Sequence, residues 1–140
     1  MSLSRREAFE FLKGAPLAAI STVSHDGSPE AAVINIAANS DLELIFETIQ
    51  TTRKCVNLRR DPRVAIVLWR GNETLQYEGV ADEPDRYVLA PLLETYFAAQ
   101  PDALGHCGWP GLTYFRVRPR WIRLSQYGRS FSVRELRFGD

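Results

Sequence analysis

Apolar and polar positions alternate along most of this chain, in short runs separated by turn residues. LAAISTVS (Leu17–Ser24), AAVINIAA (Ala31–Ala38), LELIFET (Leu42–Thr48), RVAIVLW (Arg63–Trp69) and TLQYEGVADE (Thr74–Glu83) each read as strands. LTYFRVRP (Leu112–Pro119), WIRLSQY (Trp121–Tyr127) and SFSVRELRF (Ser130–Phe138) read as three more. Asp26-Gly27 is a hairpin signal, and Asn39-Ser40-Asp41 and Gly71-Asn72 turn the chain between later runs. RVAIVLW is nearly all apolar, which predicts a central strand buried on both faces. LELIFET alternates only partly, with Leu42, Leu44 and Phe46 on one face, and Gly79 marks a bulge or a close approach in its strand.

Three stretches carry the helical period instead. Ser4 caps a helix over Arg5–Lys13, with Glu7 as capping-box partner, Phe9 and Leu12 on one face and Gly14 at its end. A second helix spans Thr52–Arg59 and stops before Asp61-Pro62. A third spans Asp85–Gln100, where Pro91 is expected to kink or split it, and Pro101–Gly111 reads as a loop rich in Gly and Pro. About eight strands joined by tight turns predict one domain over 1–140: a mainly β antiparallel barrel with short helices, with a β-sandwich as the structural competitor.

Composition narrows the function classes. The chain has 140 residues, enough to bury a core without a metal or disulfide staple. Lys+Arg and Asp+Glu are 17 each, so broad electrostatic capture of nucleic acid or anionic membrane is disfavoured. The two cysteines, Cys55 and Cys107, form no metal-spacing or Cys-x-x-Cys motif, which favours a reduced, cytoplasmic chain. The charged start MSLSRREAFEFLKG has no apolar core of a signal peptide, and no apolar run reaches the roughly 20 residues of a membrane helix.

The densest chemistry lies in FETIQTTRKCVNLRRD, Phe46 to Asp61. An apolar strand runs out into Thr48, Thr51 and Thr52, then Arg53-Lys54 opens a helix. Hydroxyls, free N–H groups and two cations at a helix start make a phosphate cradle. The dipole there disfavours bare cations, so a bound phosphate ester accounts for the pair; chance basic residues in a solvated first turn are the other reading. His106-Cys107 has no second His or carboxylate placed beside it by any motif, which leaves no catalytic constellation. His25 reads as a turn residue, and Glu78, Asp82, Glu83 and Asp85 as a solvated strand end; no metal site is expected.

Three pieces, LAAISTVSHDGSPEAAVI, LIFETIQTTRKCVNLRRDPRVAIVLW and LQYEGVADE, resemble the pyridoxamine 5'-phosphate oxidase-like family of flavin-binding split barrels, over roughly Ala15 to Tyr127. The stretch YFAAQPDALGHCGW echoes the segment lining that family's substrate pocket. The resemblance implies an FMN-binding split barrel with an antiparallel six-stranded core, and a homodimer with two FMN at its interface, each touched by both chains. Trp69 and the Trp109–Phe115 segment are candidates for that interface. It also implies roles for individual residues. Arg53 and Lys54 fall on the phosphate-binding pair, with Thr52 beside them. Glu47 and Thr48 fall beside the ribityl chain. Ala32, Val33, Ile34 and Asn35 fall on the strand along the flavin ring. Thr74 takes the place of a Gln that reaches the partner's flavin, and Gln76 covers a similar place. The alanines of 31–38 let a flat ring approach the backbone, or else fill a narrow barrel.

The departures bear on the reaction. The strand Ala32–Ala37 begins and ends with Ala where the oxidase has Arg and Lys, and Gln100 stands where it has an Arg, although Tyr96 is retained. Ser125 stands for a Trp, followed by a matching Gln126, and SFSVRELRF lacks the Arg- and His-bearing signature. Pyridoxine phosphate is therefore not the expected substrate. Trp69, Trp109, Tyr114, Trp121 and Tyr127 offer a neutral aromatic surface, and most of them are expected in the core or interface. The leading expectation is an FMN-dependent oxidoreductase passing electrons between a reductant and a small-molecule acceptor or oxygen. A deazaflavin-dependent reductase is a close variant, with Arg59, Arg60 and Arg63 available for a longer acidic tail. A non-catalytic flavin carrier or sensor is the second class. A haem-handling relative, with His25 or His106 on iron, and a dimer without cofactor rank below.

Overall fold

The period-two runs form strands where turns let them pair. The computed structural model describes residues 1–139. Its elements are α1 (Arg5–Lys13), β1 (Leu17–Val23), β2 (Pro29–Asn35), β3 (Ala37–Ala38), β4 (Leu44–Ile49), α2 (Arg53–Arg60), β5 (Arg63–Arg70), β6 (Glu73–Asp82), α3 (Arg86–Ala99), a 3-10 turn (Pro101–His106), β7 (Leu112–Gln126) and β8 (Ser132–Arg137). Strands pair antiparallel in the order β2-β1-β5-β6-β7-β4-β3, with β8 joined to β7. The sheet curls around one core that includes Ile20, Phe46, Ile66, Leu75, Tyr77, Phe115 and Ile122. Phe46 and Phe115, opposite one another on β4 and β7, stack with ring centroids 5.5 Å apart. Helix α1 covers the core with Ala8, Phe11 and Leu12. This is the mainly β split barrel with short helices that the sequence leads one to expect.

Local signals set several bounds. The Ser4 hydroxyl accepts from the Glu7 N–H at 3.1 Å and starts α1 where expected. Gly27 and Gly71 adopt φ of 86° and 58°, the left-handed backbone their hairpins require. Leu42 is a non-glycine with positive φ (64°), and its carbonyl accepts from the buried Tyr77 hydroxyl at 2.7 Å.

The structure also corrects the sequence reading. β5 is central, between β1 and β6, but it is not buried on both faces: Ala65, Val67 and Trp69 look outward and are exposed. Burial on both faces belongs to β4, where Leu44, Ile45 and Phe46 are all inaccessible. Ile45 joins Ala37, Leu92, Tyr96 and Ala103 in a second cluster beneath α3. The expected break at Pro119 is absent, and β7 runs through it. Pro119 lies opposite Gly79 where the β6–β7 register shifts, so its missing N–H falls at a bulge. Pro91 does not split α3, because the carbonyl it frees, on exposed Tyr87, can turn to water. The Pro101–Gly111 loop begins as a 3-10 turn.

Candidate functional site

The strand end of β4 and the start of α2 are locked together by two hydroxyls. Thr52 caps α2, accepting from the Cys55 N–H at 3.4 Å, and donates to the Ile49 carbonyl at 2.8 Å. Its only proton is thereby committed, so Thr48 donates to Thr52 at 2.8 Å. Arg53 and Lys54 follow, their first-turn N–H groups free of intrahelical acceptors. They line a cavity of about 380 Å³ with Thr51, Thr52, Ile20, Thr22, Glu30, Ala31 and Ala32.

The two cations differ in state. Lys54 is half-buried, burial pushes its ammonium pKa down, and it makes no ion pair with any described residue. Arg53 is mostly exposed, with Nη1 3.2 Å from Glu30 Oε2. Asn57 Nδ2 holds that carboxylate, donating to Glu30 Oε1 at 2.8 Å and to Thr22 Oγ1 at 3.0 Å. The cradle thus carries two cations and one carboxylate, a net positive charge that favours an anion.

The remaining expected cofactor residues divide between places. Ala32 lines the cradle. Val33 and Asn35 are exposed on β2, an edge strand, whereas Ile34 points into the core and offers a ligand only its backbone. Gln76 lies on the outer sheet face in a groove of about 220 Å³ with Ala19, Ser21, Ala31, Ala65 and Val67. Thr74 sits on the same strand two residues away, opposite exposed Trp69. Ala31 lines both the cradle and this groove.

Glu47 turns to the opposite face of β4 from Thr48, and there the structure supplies what no motif indicated. A carboxylate does stand beside His106: His106 Nδ1 is 2.5 Å from Glu47 Oε1, across 59 positions of sequence. The Trp109 ring stacks on the imidazole at 3.8 Å, tilted by 20°. Glu47 Oε2 and the Tyr96 hydroxyl are buried nearby without hydrogen-bond partners among the described residues. Burial, with the Glu47 charge second, raises the Tyr96 hydroxyl pKa. Tyr114 is pushed up to about 12, first by burial and then by the adjacent Cys107 thiol.

Other candidates are engaged elsewhere. Gln100 Nε2 donates to the carbonyls of Pro16 at 3.1 Å and Ile36 at 3.0 Å, bracing the end of α3 against β1 and β2. Arg59 grips Glu83 with bonds of 2.7 and 2.8 Å, Arg60 donates to the Val23 carbonyl, and Arg63 pairs with Asp61 at 2.7 Å. Asp82 pairs with Arg116 at 2.7 Å, and Asp85 caps α3. His25 is an exposed turn residue. Among the described residues no group of three or more His, Cys, Asp or Glu is placed to hold a metal ion, and no helix is long and apolar enough to cross a membrane.

Comparison with known proteins agrees with this fold. The family model described as pyridoxamine 5'-phosphate oxidase matches residues 4–126. No protein with a curated function matches the sequence. The fold is shared with a haem-binding protein of Mycobacterium smegmatis at TM-score 0.81 and 15% identity, over 95% of this chain and 58% of that one. The chain thus spans little more than half of that relative. An FAD-binding protein of Mesorhizobium loti aligns at TM-score 0.72 and 16% identity, covering 91% of this chain and 98% of that one. A haem storage protein of Vibrio cholerae aligns at TM-score 0.71 and 19% identity, covering 86% and 92%.

Proposed function

The chain belongs to the pyridoxamine 5'-phosphate oxidase family, and from that premise we propose that it binds FMN in a homodimer and serves as a flavin-dependent oxidoreductase for a small organic acceptor or oxygen. The observation that carries this reading is Lys54: a half-buried ammonium with no carboxylate partner among the described residues, beside Arg53, at a helix start. Such a charge is costly without an anion. Arg53 adds a planar fork and Lys54 a point charge for the phosphate, while the free N–H groups of α2 add donors. Small Ala31 and Ala32 leave room for a ring against the edge strand β2. Bound FMN supplies the redox chemistry, and the protein supplies position and electrostatics.

The dimer rests on the outer face of β1, β2, β5 and β6. Leu17, Val33, Val67 and Trp69 are exposed there as a contiguous apolar set. A second copy laid on that face would bring its Thr74 and Gln76 toward this chain's β2. The engaged states of Arg59, Arg60 and Arg63 favour FMN over a deazaflavin with a long acidic tail. The haem-binding names of two relatives raise haem as a ligand, but the two cations of the cradle favour a phosphate.

An absorption spectrum of the purified protein with and without added FMN, followed by fluorescence titration, tests the reading. Uptake of FMN with quenched fluorescence, weakened about ten- to a hundred-fold in Arg53→Ala, is expected. A Soret band, or no uptake of FMN at all, overturns it.

A further inference from the structure

Outside the cradle, the most completely built polar cluster is the one around His106. Its Nδ1 meets Glu47 Oε1 at 2.5 Å. A carboxylate only accepts, so Nδ1 carries the proton and Nε2 is left with a lone pair. Trp109, stacked at 3.8 Å, fixes the ring plane. The Nδ1 edge faces the Glu47 carboxylate, the side chain is 27% exposed, and Nε2 has no partner among the described residues. Carboxylate, imidazole and a free outer nitrogen make a proton-transfer pair, in which the carboxylate orients the ring and steadies its charged form.

The surroundings fit that role better than a packing role. Among the described residues neither Glu47 Oε2 nor the hydroxyl of the fully buried Tyr96 has a hydrogen-bond partner. Leaving such groups unpaired costs stability and is unusual in a site that only packs. The pair also shares a strand end with the cradle, on the opposite face of β4. Glu47 and Thr48 are successive residues of β4, and Thr48 holds the cap of the helix that carries Arg53 and Lys54. Two sites thus flank one strand end, one suited to an anion and one to a proton.

We propose that His106 is an acid–base residue, positioned by Glu47, that exchanges a proton at oxygen or nitrogen with the substrate of the flavin site. This rests on the flavin reading above. It narrows the substrate to acceptors or donors whose two-electron change is coupled to such a proton, quinones and related carbonyl compounds among them. For a quinone the step balances: the reduced flavin gives a hydride, the His106 imidazolium gives the proton at Nε2, and the products are hydroquinone, oxidised flavin and neutral imidazole. The Nδ1–H stays on Glu47 throughout, and solvent restores the proton at Nε2.

The test uses two oxidants on the full-length protein loaded with FMN and reduced with dithionite. Menadione takes up a proton on reduction, whereas ferricyanide takes electrons alone. His106→Gln is expected to slow oxidation by menadione about a hundred-fold and leave ferricyanide within about two-fold. Glu47→Gln should act in the same direction with a smaller effect. A second readout needs no flavin: the nitrogen NMR spectrum of ¹⁵N-histidine-labelled apoprotein at pH 8 should show His106 as the Nδ1–H tautomer, and a mixture of tautomers in Glu47→Gln. Equal slowing with both oxidants, or an Nε2–H tautomer in the unsubstituted protein, overturns the proposal while FMN binding stands. Failure of the unsubstituted protein to bind FMN overturns the flavin reading and this step together.

Discussion

Arg53 Nη1 lies 3.2 Å from Glu30 Oε2, so the more exposed cation of the proposed phosphate cradle is already paired. An exposed ion pair of this kind contributes little to stability, about 0.2–1 kcal/mol. Its effect on an incoming anion is larger, because Glu30 both competes for Arg53 and repels the phosphate. Glu30→Gln removes the charge and keeps a side-chain oxygen for Asn57 Nδ2. FMN affinity should rise about three- to ten-fold, as expected for removing roughly 1 kcal/mol of opposition. A fluorescence titration of the two proteins checks this, and weaker binding in the variant would show that Glu30 is needed to aim Arg53.

The exposed outer face of β5 leads to a second expectation. Val67 and Trp69 are 37% and 59% exposed in one chain. Val67→Asp should leave the isolated chain's fold intact, because Val67 lies on the outer face and is a member of neither core cluster. In a dimer sealed by this face it would bury an unpaired carboxylate, which costs several kcal/mol. Sedimentation at micromolar concentration should then show the unsubstituted protein as a dimer and Val67→Asp as a monomer, with the dissociation constant raised at least about a hundred-fold. FMN affinity should fall with it. Identical sedimentation of the two proteins would remove this face from the interface.

These two surfaces mark what was legible in the sequence. The cap and helix start that carry Arg53 and Lys54 were legible because they are local: Thr52, Arg53 and Lys54 are consecutive, and a cap followed by a first turn is a short-range pattern. Helix α1 and the Gly27 hairpin were legible for the same reason. The run RVAIVLW was misread because an apolar residue looks the same in sequence whether its own chain covers it or not. β4 is buried on both faces because α3 returns over it, and only its broken alternation hinted at that. The Glu47–His106 pair was hidden because it joins residues 59 positions apart, through a turn whose path no local signal fixes.

Gly79 was read as a bulge or close approach, and the contact explains why. A Cβ there would lie 2.2 Å from the Arg118 carbonyl oxygen and 3.1 Å from its carbon. Both are backbone atoms of the paired strand, opposite the register shift at Glu78/Gly79, and cannot swing aside. Gly79→Ala must push β6 and β7 apart at the bulge that accommodates Pro119. The expected loss is about 1–3 kcal/mol, the usual cost of overpacking, read as a lower urea midpoint with the slope unchanged. A shift below about 0.5 kcal/mol, the range of inert surface changes, would mean that the strands separate freely there.

Acid should weaken the fold through two aspartates at chain reversals. The Ser24 hydroxyl first, and then Ser28 through its side chain and its N–H, hold Asp26 down to about 2. The Arg63 guanidinium holds Asp61 down to about 2, with contacts of 3.0 and 2.7 Å. An unfolded aspartate titrates near about 3.9. The depressed groups therefore contribute stability that is complete above about pH 4 and is lost as pH falls through about 2, because the unfolded chain takes up protons first. Melting temperature should decline over that window. Combining Asp26→Asn with Asp61→Asn should lower the melting temperature at pH 6 and flatten its decline between pH 4 and 2. Curves that stay parallel across that range would assign the acid loss to other carboxylates, such as Glu135 beneath Arg123 or Glu83 on Arg59, whose values are also lowered by their arginines.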